Sequence, residues 1–169
     1  MSTGNKMIAL VLFASLMLLC LPALAVEPDG AGVLVDTSTY IYAETYKGRT
    51  DITSVSLPNA TYIGASAFQG CTELVSVEAP NVTGMGVSTF GGCVKLEVAT
   101  MTNLTSISQA AFSACEKLST MSFPNITSIG NSAFSGCDSL VSITFDKVTS
   151  IEYYAFQGCD NQFGECKFT

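Results

Sequence analysis

The chain has 169 residues, 14 of them acidic and 7 basic, a net charge of −7, and neither histidine nor tryptophan. The acidic balance repels phosphate backbones and argues against a nucleic-acid partner. Without histidine, no Ser–His or Cys–His pair can activate a nucleophile, so an enzyme is not expected.

The first element is a leader. Lys6 gives a short basic start, and Met7 to Ala25 runs uncharged to Ala23-Leu24-Ala25, a small-x-small cleavage pattern. The reading is a signal peptide over residues 1–25; the alternative is an uncleaved anchor, because the run is about a membrane span long. No other segment is apolar enough to span a membrane, so none is expected after cleavage. Removal of the leader takes Lys6 with it and leaves 6 basic residues against 14 acidic ones.

From Asp51 to Asp160 the sequence repeats every 22 residues without insertion or deletion. The clearest mark is "AFQGC" at Ala67–Cys71, returning as "TFGGC", "AFSAC", "AFSGC" and "AFQGC" to place cysteines at 71, 93, 115, 137 and 159. Residues 26–50 read as an N-terminal cap with a degenerate repeat: Val33 and Val35 fall under the apolar Val55 and Leu57, Ile41 under Ile63, Tyr46 under Phe68, and Arg49 stands where the cysteine would be. Residues 161–169 read as the terminal strand of an incomplete repeat, with Phe163, Cys166 and Phe168 in the places of Leu140, Ile143 and Phe145.

Within a unit, Leu74, Val77 and Ala79 end in the period-2 pattern of a half-buried strand. Pro58, Pro80 and Pro124, each followed by Asn, close that strand. A second extended piece follows ("NVTGMG", "NITSIG"), then "SAFSGC" reads as a tight helical turn with Phe as its largest apolar group. One unit cannot bury its own apolar columns, and stacking does so coil on coil. The expected fold is a β-rich solenoid of parallel strands and short turns.

The run "LSTMSFPNITSIGNSAFSGC" at Leu118–Cys137 resembles the BspA-type leucine-rich repeat, and five clear copies of the unit carry the resemblance over about two thirds of the chain. The resemblance implies a leucine-rich-repeat-like solenoid, secreted or surface-displayed, with adhesion to host or neighbouring cells among the roles of the family. The Asn that bonds along the stack in ordinary leucine-rich repeats is replaced here by Val82, Leu104, Ile126 and Val148.

The candidate sites follow from the columns. No catalytic, metal or cofactor site is expected: cysteines one coil apart form a line, which does not surround an ion. The same line reads as buried thiols, among the most buried of residue types, with stacked disulfides as the alternative. Cys166 lies out of phase, and a Cys159–Cys166 bridge would pin the last strand. A candidate interaction surface comprises two columns, Ser54, Ser76, Val98, Thr120, Ser142 and Ser56, Glu78, Thr100, Ser122, Thr144. Thr61, Thr83, Thr105, Thr127 and Thr149 form a threonine ladder that reads either as plain solvated β-surface or as a recognition surface. Asn59, Asn81, Asn103 and Asn125 sit in N-x-T sequons, glycan acceptors if the source is a eukaryote. The functional expectation is a secreted or cell-surface repeat protein, non-catalytic, with an extracellular protein or glycan as partner. The alternatives are binding to ice or a crystal surface through the Thr ladder, and a structural protein that self-associates through its terminal strand.

Overall fold

A computed structural model describes residues 26–140 and 145–159. The described chain is a stack of 22-residue coils; the first five carry two short strands each, and the next contributes one, Ser150–Ile151, among the described residues. The first strands are β1 (Val33–Val35), β3 (Ser54–Ser56), β5 (Ser76–Glu78), β7 (Val98–Thr100) and β9 (Thr120–Ser122). They pair in parallel as one five-stranded sheet in the order β1-β3-β5-β7-β9. The second strands are β2 (Tyr40–Ile41), β4 (Tyr62–Ile63), β6 (Gly84–Met85), β8 (Ser106–Ile107), β10 (Ser128–Ile129) and β11 (Ser150–Ile151). They form two three-stranded sheets, β2-β4-β6 and β8-β10-β11.

The apolar columns meet as stacking requires. Leu74, Val77, Ala79 and Val82 are all buried, as are their equivalents Leu96, Ala99, Met101 and Leu104 one coil on. At the corner, Tyr46, Phe68, Phe90, Phe112, Phe134 and Phe156 stack ring on ring at centroid separations of 5.0, 5.4, 5.4, 5.5 and 5.3 Å. A stack of large rings down the axis gives each coil apolar surface that only its neighbours can cover.

The first coil corrects the sequence reading. Val33 and Val35 do not enter the apolar columns: they pair with Ser54 and Ser56 and point outward, while Leu34 pairs with Val55 and is buried. Tyr40 and Ile41 return to the 22-residue phase against Tyr62 and Ile63. The loop between β1 and β2 is therefore one residue shorter than its successors, and the slip exchanges which face each β1 side chain takes.

The corner is also not helical. Ser66, Phe68 and Gly70 donate their amides to Val87, Thr89 and Gly91 of the next coil, whereas Ala67, Gln69 and Cys71 donate to Gly64, Ser66 and Phe68 of their own. Alternate amides thus leave the coil, and an α-helix would need them all internally. This geometry places Glu44, Ser66, Ser88, Ala110, Ser132 and Tyr154 at φ between 51° and 59°, an unfavourable region for residues with a Cβ. Four residues on, Gly48, Gly70, Gly92, Gly136 and Gly158 take φ near 72°, and Ala114 replaces glycine at 55°.

The two second-strand sheets part between β6 and β8, where one bond of the column changes hands. A Cβ at Gly86 would lie 2.3 Å from the Ala65 amide nitrogen, on the side of the preceding coil. Ser108 occupies the equivalent place in the next coil, and its hydroxyl takes the Met85 carbonyl at 2.6 Å. Elsewhere in this column a backbone amide takes that carbonyl, as when Gly86 donates to Ile63 or Glu152 to Ile129.

Candidate functional site

The two predicted surface columns lie side by side on the outer face of the five-stranded sheet. Register places Ser54, Ser76, Val98 and Thr120 in one row and Ser56, Glu78, Thr100 and Ser122 in the next. Val33 and Val35 extend these rows by one coil, and Val35 is 50% exposed. Sequence reasoning missed both because it assigned them to the core. Ser76 donates to the Ser54 hydroxyl at 3.0 Å. Glu78 is the acidic residue of this face, and it stands between two small hydroxyl side chains. Ser142 and Thr144 lie outside the described residues.

The threonine ladder is exposed, but its hydroxyls turn back to the stack. Thr61, Thr83, Thr127 and Thr149 donate to the carbonyls of Thr39, Thr61, Thr105 and Thr127 at 3.0–3.3 Å. The sequon asparagines behave alike: the Asn59, Asn81 and Asn125 side-chain amides reach Thr37, Pro58 and Thr102 of the preceding coil at 2.7–3.1 Å. Asn103 is exposed. A ladder of side-chain amides along the stack therefore exists here, one residue before the position it occupies in ordinary leucine-rich repeats.

At the corner, Cys71, Cys93, Cys115 and Cys137 are buried free thiols. Each donates to the carbonyl of Tyr46, Phe68, Phe90 or Phe112 in the coil before, at 3.0–3.2 Å. Cys159 makes the same contact with Phe134 at 3.1 Å. Burial pushes the Cys71 thiol up to about 11 and Cys137 to about 12, and raises Cys93 and Cys115 further. Thiolate is the reactive form, so these sulfurs are chemically quiet. Cys166, and with it the proposed bridge to Cys159, lies outside the described residues. Among the described residues, no three His, Cys, Asp or Glu side chains converge as a metal site would require.

An aromatic cluster on the second-strand side went unread. Tyr40 stacks on Tyr62 at 5.2 Å and packs against Tyr42 at 5.0 Å, with Tyr40 and Tyr42 exposed. The signal was present, since Tyr40 and Tyr62 lie one period apart. Gly84 continues that column, and the Tyr62 ring lies 3.2 Å from where its Cβ would be.

The repeat is matched by the model of the BspA type leucine rich repeat region, in six copies over residues 39–162. The chain belongs to the BspA-type leucine-rich repeat family. This BspA-type chain also resembles solved structures of bacterial origin. A leucine-rich repeat protein of T. pallidum matches at 32% identity and a TM-score of 0.63, over 71% of this chain and 59% of that one. One from Eubacterium ventriosum matches at 27% and 0.65, over 69% and 33%. A leucine-rich cell surface protein of Faecalibacterium prausnitzii matches at 27% and 0.54, over 78% and 42%. The BspA-type chain thus spans a third to three fifths of the length of these proteins. No curated protein matches its sequence. The family is one of leucine-rich repeats, and the similar structure from Faecalibacterium prausnitzii is that of a cell surface protein.

Proposed function

We propose that the protein is a secreted or surface-held, non-catalytic adhesion module that engages an extracellular protein or glycan through the outer face of the β1-β3-β5-β7-β9 sheet. The observation that carries this reading is the unbroken parallel register of that sheet. It sets two rows of small hydroxyl groups, with Glu78 and Val98 among them, on a rigid plane. Such a face offers no large buried anchor, so affinity is expected to be modest per site and to grow with copies displayed. Direct binding to immobilised matrix proteins and to a glycan array tests it. Ser76→Arg with Thr100→Arg should abolish binding, and Thr83→Arg on the other side should spare it. Equal loss from both, or no binding at all, defeats the proposal.

Ice or crystal binding finds less support. The hydroxyls of Thr61, Thr83, Thr127 and Thr149 spend their protons on the preceding coil and leave only lone pairs outward. Thermal hysteresis of the purified protein is the discriminating measurement.

A further inference from the structure

The first coil holds a buried carboxylate that no strand needs. Asp36 is 5% exposed, the one buried ionisable carboxylate among the described residues. Its partners are neutral: the Ser38 amide at 2.8 Å and the Tyr46 hydroxyl at 2.6 Å. Tyr46 spends its single proton on Asp36, so a phenol lone pair remains, and it accepts from the Val26 nitrogen at 3.1 Å. Every other described ring of the column, Phe68 to Phe156, lacks the hydroxyl that makes this relay.

Val26 follows Ala25 directly, at the end of the small-x-small pattern. We infer that the Tyr46–Asp36 pair is a built-in acceptor site for the chain's own α-ammonium group, formed when the leader is cut between Ala25 and Val26. The inference rests on the secretion reading above. In the uncut chain the Val26 nitrogen is an amide that gives one neutral hydrogen bond. Hydrolysis of the Ala25–Val26 peptide bond adds water across it, leaving a carboxylate on Ala25 and an ammonium on Val26. That cation gives a charge-assisted bond to Tyr46, about twice as strong as the neutral one. It also brings Asp36 a counter-charge, which a buried carboxylate otherwise lacks. The other charges near this end are already engaged: Arg49 holds Glu27 at 2.8 Å and Asp51 at 2.5 Å. The Glu27 contact fixes the neighbouring residue in place.

Two measurements test the inference separately. The intact mass of the secreted product reports the cleaved bond. Thermal midpoints are then compared for a chain beginning at Val26 and one extended by Gly-Ser, which moves the ammonium away. The Val26 chain should melt about 2–4 °C higher at pH 6, and the gap should vanish in Tyr46→Phe and in Asp36→Asn. In the parent it should also close as pH rises past the titration of the amine, ordinarily near 8. A secreted chain that begins elsewhere overturns the processing step and the inference with it. A chain that begins at Val26 but shows no gap, or the same gap in both variants, overturns the acceptor site alone.

Discussion

The first coil and the interior coils share one corner backbone and fill it with different chemistry. Glu44 and Ser66 take φ of 58° and 54°, Gly48 and Gly70 both 71°, and in each coil alternate amides pass to the next. In the interior, Phe and Cys make the corner dry, and the thiol gives its proton to a carbonyl one coil down. In the first coil, Tyr46 puts a hydroxyl on the same ring position and Arg49 replaces the thiol. The hydrogen-bonded backbone therefore defines the corner. The side chains decide whether it faces another coil or the end of the chain.

That contrast can be broken most forcefully with alkali. The buried thiols keep protons in the folded state that the unfolded chain releases above its ordinary value of 9.0. Their contribution is whole below pH 9 and is lost as pH rises towards the folded values, roughly 1.4 kcal/mol per thiol per pH unit. Urea titrations from pH 8 to 11 should show steep loss, with Cys71→Ser, Cys93→Ser, Cys115→Ser and Cys137→Ser together removing most of it. A flat profile would show the thiols to be solvated. Phe90→Ala, in the middle of the stack, should cost about 3–5 kcal/mol by urea unfolding. Tyr46→Phe should cost less than half of that, because its ring stays and only the hydroxyl's links to Asp36 and Val26 are lost. Equal losses would erase the distinction between the two coils. Cys93→Ala should cost about 1–2 kcal/mol and Cys93→Ser less, since serine keeps a donor for Phe68. Serine no better than alanine would mean that the bond to the carbonyl contributes nothing. Ala114→Gly should raise stability by about 0.5–1 kcal/mol, as glycine takes the left-handed φ without strain.

The regular part of this molecule was legible because the repeat does the reading: any column seen five times averages out local exceptions. The Phe stack, the buried cysteines, both strands and the family all follow from a 22-residue step. What escaped were single departures. Val33 and Val35 were placed inward because a one-residue deletion in the β1–β2 loop leaves no mark on so degenerate a unit. The left-handed column at Ser66, Ser88, Ala110, Ser132 and Tyr154 escaped because no residue type there announces φ above zero. The thiols were read as buried, and their donor role needs the carbonyl of another coil, which periodicity alone does not supply. Of the candidate surface, the rows were readable and their first members were not, for the same β1 slip.

The alternating corner bonds have one further consequence. All three outgoing amides of each corner point the same way, from Glu44, Tyr46 and Gly48 through to Ser132, Phe134 and Gly136. Peptide dipoles aligned in series add, as they do along a helix. The corner is therefore a polar filament inside the rod, with carbonyls facing the first coil and amides facing the last.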